Sequence, residues 1–244
     1  MESQYYTQTP QQVLHAMESR EEGLTTQQAQ ERIEKNGPNA LREERKKPVW
    51  QVFLEQFKDL LVAILIAAAL ISMFSGNMES TLVIFAVLIM NAILGTVQYF
   101  KAEKSLESLN AMSAPSAKVL RDGQRLEIPS DQVVPGDIIE LEAGDLVVAD
   151  GRLLNCWSLK VNESSLTGES EAVEKTNEAI EGEKVALGDQ KNMVFSGSLV
   201  TYGRAVMVVT ATGMDTQLGR IATLMNQTQQ RKTPLQQSLS LIHI

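Results

Sequence analysis

The sequence predicts an α+β membrane protein: N-terminal helices, a two-helix transmembrane hairpin, and a β-rich domain of sandwich or distorted jelly-roll type. Three observations predict it. Residues 60–78 and 80–100 hold no charged side chain, and each run is near the ~20 residues that a helix needs to cross a bilayer. Ahead of them, two threonine-led segments carry helix-start signals. Behind them, from Ala117 onward, apolar residues alternate with polar ones between turn residues, the pattern of short strands joined by tight turns.

Residues 1–8 are polar and are expected to be a disordered tail. Thr9 then offers an N-cap, Pro10 suits the first helical position and Gln12 completes a capping box; Gly23 is the expected end of that helix. A second helix opens at Thr25 with Gln28 three residues on, and stops at Asn36-Gly37-Pro38-Asn39. On mechanism alone the pair reads as surface helices without chemistry. Arg42, Arg45, Lys46 and Lys47 precede the first apolar run, and Lys101 and Lys104 follow the second. The positive-inside rule therefore places both ends of the hairpin, and the chain termini with them, in the cytoplasm. Ser75-Gly76-Asn77 supplies the turn between the runs, with Glu79 as the one charge there. A buried hairpin in a soluble core is the competing reading, and two adjacent runs of this length argue against it. Asn91, a polar residue in the middle of the second run, suits an interhelical hydrogen bond better than an ion path. Residues 101–109 continue the helical spacing as a stalk, and Pro115 ends it.

The β-region begins with a hairpin: residues 118–121 and 124–128 flank Asp122-Gly123, a strong two-residue turn signal. Residues 137–141 and 146–149 flank a turn at Ala143-Gly144-Asp145, and residues 193–200 and 204–212 are expected to pair around Tyr202-Gly203. Residues 216–227 read as a helix. The apolar content of 43% and the mean hydropathy of −0.10 average over these unlike parts. A net charge of −8 argues against nucleic acid as a partner. The single cysteine, Cys156, excludes an internal disulfide and a cysteine-rich metal site, and is expected to be a small buried residue in a β-layer. The polar N-terminus lacks the apolar core of a cleavable signal peptide.

The chemistry is expected in residues 161–170, Val-Asn-Glu-Ser-Ser-Leu-Thr-Gly-Glu-Ser. This is a polar, turn-forming stretch that sets the Glu169 carboxylate beside Gly168, where the backbone can turn tightly and approach another surface. A carboxylate held out in this way can serve as a base. On these residues alone, a solvated turn with an ordinary exposed glutamate is an equal reading. The surroundings add to it: Pro135-Gly136-Asp137, residues 144–152 (Gly-Asp-Leu-Val-Val-Ala-Asp-Gly-Arg) and the Asn162-Glu163-Ser164-Ser165-Leu166 lead-in. Together with Gly23-Leu24-Thr25, Arg32 and the Asn-Gly-Pro-Asn-Ala-Leu of residues 36–41, these resemble the P-type cation-transporting ATPases, calcium-pump-like branch. The resemblance runs from about Pro10 to Gln237.

The resemblance implies a division into an N-terminal helical segment at 1–47 that belongs with the actuator region, a transmembrane hairpin with cytoplasmic stalk at 48–110, an actuator domain at 111–230 and a truncated linker at 231–244. It implies that an aspartate in a separate domain is phosphorylated by ATP and that the actuator loop then promotes hydrolysis of the aspartyl phosphate. Carried over, Glu169 would orient and deprotonate the water and Gly168 would let the backbone approach the phosphate. Thr167 and Ser170 would hold the loop's shape or hydrogen-bond nearby. Pro135-Gly136-Asp137 and Ala149-Asp150-Gly151-Arg152 read as structural, turn residues at strand ends. No cofactor-binding residue and no metal ligand is assigned: Glu55, Asp59 and Glu79 are the acids nearest the membrane, but the family's ion ligands lie mainly on later helices. Lys58 beside Asp59 also departs from the paired acids of some calcium pumps.

ATP and Mg2+ are expected in the full-length enzyme and not on this chain, which has no Asp-Lys-Thr-Gly phosphorylation motif; alone it is expected to be inactive. The implied partners are the lipid bilayer, the transported cation, and the phosphorylation and nucleotide-binding domains of the same protein, in a bacterial cell membrane. A membrane-anchored β-domain acting as a binding or regulatory module, and a pump for another cation, stay open. Thr233-Pro234-Leu235-Gln236 resembles the approach to the family's third membrane helix. Residues 239–244, Leu-Ser-Leu-Ile-His-Ile, match a translation of CTG-TCT-CTT-ATA-CAC-ATC, the transposase end sequence used in sequencing libraries. They are expected to be adaptor-derived; a short natural tail or the start of a truncated third helix is the alternative.

Overall fold

The computed structural model describes residues 4–41, 47–112, 115–182 and 184–229. The approach to a third helix and the adaptor-like 239–244 lie outside the described residues, as do Arg42, Arg45 and Lys46. The molecule divides into two compact units: one holds the described residues up to 41 and from 115 onward, and the other holds 47–112. The first unit is therefore discontinuous in sequence.

In the second unit, α3 (Val49–Glu55) leads through a 3-10 turn at Gln56–Lys58 into α4 (Leu60–Phe74), and α5 (Met78–Met112) follows the turn at Ser75-Gly76. α5 is one unbroken helix of 35 residues, joining the uncharged run to the expected stalk. Its segment Met78–Leu106 is long and apolar enough to cross a membrane. Leu82, Val83, Met90, Ile93 and Val97 are exposed on it within this unit. The expected first arm differs. α4 has only 15 residues, about 22 Å of helix against a hydrocarbon layer of about 30 Å. The preceding helical piece meets it at a bend of 74°, because Asp59 takes an extended conformation (φ −67°, ψ 136°) between them. Among the described residues one unbroken helix has the length to cross, the bent pair counts as a second only if taken as one broken span, and Asn91, exposed on α5, makes no side-chain hydrogen bond.

The first unit is built on a seven-stranded antiparallel sheet in the order β2-β1-β3-β7-β4-β5, with the short β6 also paired to β4. The strands are β1 (Ser116–Arg121), β2 (Gln124–Pro129), β3 (Ile138–Glu142), β4 (Asp150–Asn162), β5 (Val173–Glu174), β6 (Met193–Val194) and β7 (Leu199–Ala211). Side chains alternate between its two faces, as the strand period requires. Val119, Ile139, Leu141, Leu153, Leu159, Val161, Met207 and Val209 form the larger core on one face. Ile138, Leu154 and Val208 point the other way, against Val13 and Leu14 of α1 (Pro10–Ala16). The Asp122-Gly123 hairpin forms as expected, with φ of 51° and 70° at its two turn residues.

Five sequence expectations are corrected. The N-terminal residues from Tyr5 are ordered: Tyr5–Thr7 form a 3-10 turn, and Tyr6 is buried with Met193 and Phe195. The first helix stops at Ala16, well before Gly23. A tertiary contact ends it, since Arg32 of α2 (Thr26–Asn36) donates to the carbonyls of Met17 (2.8 Å), Glu18 (3.1 Å) and Pro135 (2.7 Å). Residues 146–149 make one isolated bridge at Leu146 instead of a strand, and Asp150-Gly151-Arg152, at a strand end as expected, are the first three residues of the long β4 and not a turn. Finally, residues 199–211 run straight through Tyr202-Gly203 as one strand. Gly203 (φ +79°) meets a bulge in β4 instead: a Cβ there would lie 2.4 Å from the carbonyl oxygens of Trp157 and Ser158, and Ser158 itself has φ 48°. The glycine serves a cross-strand approach.

The helices at 10–36 are part of this unit and not loose surface elements. Both capping boxes expected from Thr9/Gln12 and Thr25/Gln28 are present. Asp122 Oδ2 also accepts from Thr26 N (2.9 Å) and Thr26 Oγ1 (2.6 Å), so the turn residue caps α2 as well. Asn39 donates to the carbonyls of Ser130 and Val148 and accepts from Gly213 N at 2.7 Å.

Candidate functional site

β4 ends at Asn162, and β5 returns antiparallel to it through Lys160↔Glu174 and Val161↔Val173. The stretch 163–172 is the loop between them. Its first half is the single helical turn α6 (Ser164–Thr167). The Asn162 side chain starts it, its Oδ1 accepting from Ser164 N at 2.9 Å, while its Nδ2 donates to Ser170 O at 3.4 Å. The Glu163 carbonyl accepts from Leu166 N (2.9 Å), Thr167 N (3.0 Å) and Thr167 Oγ1 (3.1 Å). Gly168 then reverses the chain in the left-handed region (φ 78°), its N–H donating to Ser164 O at 3.0 Å. A side chain at that φ would be strained.

The four residues singled out in sequence sit together at the loop's tip with different surroundings. The Thr167 hydroxyl is used twice, donating to Glu163 O and accepting from Glu169 N at 3.2 Å. The Glu169 side chain is exposed, and its carboxylate makes no hydrogen bond or ion pair among the described residues. Ser170 is exposed too, and only its carbonyl is engaged. The arrangement is a braced turn that presents the Glu169 carboxylate, with the exposed Glu171 two residues on.

Beneath the tip lies a contact the sequence reading missed. Glu163 opens the loop and Lys175 follows β5, with Lys175 Nζ 2.5 Å from Glu163 Oε1 and both side chains 0% exposed. The Lys175 ammonium also lies 5.7 Å from the centroid of Phe195, which packs with Tyr6, Met193 and Leu166 of the loop. Among the described residues neither charged end finds a further hydrogen-bond partner. Burial pushes the Glu163 carboxyl up and the Lys175 ammonium down, and the partner's charge pulls each back. The available signal was register: Leu159, Val161 and Glu163 fall on the same inward phase, and all three are buried.

The start of β4 buries charge differently. Arg152, 0% exposed, donates to five carbonyls: Tyr5 (3.3 Å), Gln8 (3.0 Å), Leu153 (2.6 Å), Asn177 (3.0 Å) and Asn192 (3.3 Å). Burial lowers its pKa to about 10. Asp150 accepts from Ser196 N at 2.8 Å and from Gln217 N at 2.7 Å, the first residue of α7 (Gln217–Gln229); burial raises its pKa to about 6, against those two bonds. Asp137, of the Pro-Gly-Asp motif, forms a buried two-point pair with Arg121 at 2.9 and 2.7 Å. Cys156 is half-buried in β4, its thiol pushed up by burial. Among the described residues no three His, Cys, Asp or Glu side chains gather where they could hold a metal ion.

Comparison with known proteins agrees with this arrangement. Residues 111–226 match the family model of the P-type ATPase actuator domain, and residues 5–72 match that of the cation transporter/ATPase N-terminus. A calcium-transporting ATPase of Listeria monocytogenes is 51% identical over 223 residues, 91% of this chain and 25% of the relative. One from Lactococcus lactis is 48% identical over 236 residues, 97% of this chain and 27% of the relative. An endoplasmic reticulum-type calcium-transporting ATPase of Arabidopsis thaliana is 41% identical over 237 residues, 90% of this chain and 22% of the relative. The chain thus spans about a quarter of the length of these relatives. With the actuator model laid over the sheet and loop just described, and the N-terminal model over the helices fastened to them, the chain belongs to the P-type cation-transporting ATPases.

Proposed function

We propose that this chain is the actuator part of an ATP-driven calcium pump, and that Glu169 promotes hydrolysis of an aspartyl phosphate carried elsewhere in the full-length protein. The observation that carries this reading is the exposed carboxylate of Glu169 directly after the left-handed Gly168, on a turn braced by the Thr167 hydroxyl. In the step, Glu169 takes a proton from a water while the water oxygen bonds to phosphorus. The bond from phosphorus to the aspartate oxygen breaks, and its electron pair stays on the aspartate carboxylate, releasing inorganic phosphate. Thr167 fixes the Glu169 backbone, Gly168 allows close approach of the turn, and Ser170 flanks it. ATP and Mg2+ belong to the full-length enzyme. The acids of this chain do not converge at metal-ligand spacing among the described residues, so none is assigned to Mg2+.

The remaining organisation is part of the same proposal. The apolar helix α5, together with the bent pair of α3 and α4, forms a membrane hairpin in a bacterial cell membrane. Lys47, Lys101 and Lys104 with the basic residues at 42–46 hold both ends on the cytoplasmic side. The functional division is 1–47, 48–110, 111–230 and 231–244. Calcium as the cargo is supported by the names of the relatives. The partners are the bilayer, the cation and the protein's own phosphorylation and nucleotide-binding domains.

The test is Glu169→Ala in the full-length parent enzyme. Phosphorylation by ATP is expected to persist while decay of the phosphoenzyme slows by ~10²- to 10⁴-fold, the usual cost of losing a positioned base. Decay at the normal rate would remove Glu169 from this role.

A further inference from the structure

We propose that the sealed Glu163–Lys175 pair is a positioning device for Glu169, holding the base of the loop so that the carboxylate is presented in one orientation. The inference rests on the role of Glu169 given above. Its first support is location. The loop is closed by β5, a strand of two residues with two paired positions; Glu163 is the first residue of the loop and Lys175 the residue just past β5, so the ion pair spans that closing strand. Lys175 N donates to Leu159 O at 2.9 Å and extends that closure. The second support is connectivity. The residue that carries one charge also accepts, at its carbonyl, three hydrogen bonds from Leu166 and Thr167, and Thr167 Oγ1 in turn accepts from Glu169 N. A shift of Glu163 therefore passes to Glu169 through one shared residue.

The third support is energetic. A buried pair of this kind is commonly no more stabilising than a hydrophobic pair of similar volume. With both charged ends lacking other partners among the described residues, stability alone gives little reason for charge here. What a close ion pair supplies, and two apolar side chains do not, is a directional contact of fixed length. The Glu169 carboxylate has no contact of its own to orient it, so its direction is inherited from the base of the loop.

The experiment uses the full-length parent enzyme phosphorylated with labelled ATP, and reads phosphoenzyme formation and decay separately. Lys175→Met and Glu163→Gln are expected to slow decay about 10- to 100-fold, the scale of a small misplacement of a reacting group, with formation nearly unchanged. The double variant Glu163→Gln/Lys175→Met removes both charges without leaving either unpaired. It is expected to recover thermal stability while decay stays slow. In a Glu169→Ala background, Lys175→Met is expected to add no further slowing. A double variant that decays at the wild-type rate would overturn the inference, and so would a Lys175→Met effect of equal size with and without Glu169. Normal decay in Glu169→Ala alone would instead overturn the reading of Glu169, which separates the two failures.

Discussion

The two ends of β4 bury charge in opposite ways. At its start, Arg152 and Asp150 are satisfied by main-chain groups, five carbonyls for the arginine and two N–H groups for the aspartate. At its end, Glu163 and Lys175 are satisfied by each other. A charge bound to the backbone of several segments works as a fastener: Arg152 ties the N-terminal residues 5–8 and the loops at 177 and 192 to one strand. A charge bound to a single side chain depends on that partner, and its removal leaves a bare ion in a low-dielectric site. The start of β4 thus secures the unit, and its end holds the loop that carries Glu169 at its tip.

The largest effect that would sharpen this contrast is at the mutual pair. Lys175→Met, which strands the Glu163 carboxylate, should cost about 3–5 kcal/mol of unfolding free energy, while the double variant with Glu163→Gln should recover to within about 1 kcal/mol of wild type. Guanidinium unfolding of the chain in detergent, followed by loss of β-sheet circular dichroism, reads both. If the two single costs simply add in the double variant, the pair is not coupled.

Arg152→Met comes next, at about 3 kcal/mol, because several sealed carbonyls lose their donors at once. No single second substitution should rescue it, since its partners are backbone. Protease sensitivity of residues 5–8 should rise in parallel; a cost below about 1 kcal/mol would break the comparison.

The smallest effect is a pH dependence at Asp150. Its folded pKa of about 6 lies above the ordinary 3.8, so the folded protein binds this proton more tightly than the unfolded chain. The stability it contributes is full below pH about 4 and is lost as the pH rises through about 6. Wild type should therefore gain about 2 kcal/mol from this group between pH about 7 and about 4.5, a gain that Asp150→Asn should lack. Equal pH profiles for the two proteins would refute the assignment.

What was legible in the sequence was local. The capping boxes at Thr9 and Thr25 and the Asp122-Gly123 turn involve neighbours within a few residues, and all three form as read. What was not legible depended on a second segment. Gly203 reads as a turn until the bulge at Ser158 is placed opposite it. The first helix reads as running to Gly23 until Arg32 takes the carbonyls of Met17 and Glu18. The uncharged run at 60–78 does not reveal that Asp59 will bend the chain just before it. At the loop, the Thr-Gly-Glu-Ser tip was visible as a motif. Its floor was hidden because Lys175 looks like any other lysine until β5 folds back against β4.

The discontinuous first unit also sets a schedule for biosynthesis. Tyr6 O accepts from Asn192, 186 residues later in the chain, and Arg152 reaches back 147 residues to Tyr5. At typical translation speeds the N-terminal segment must wait on the order of ten seconds or more for these partners. The apolar helices of the second unit leave the ribosome during that interval. The β-unit therefore closes only after the apolar segment has been made, and nascent residues 5–8 spend that time without the donors that later hold them.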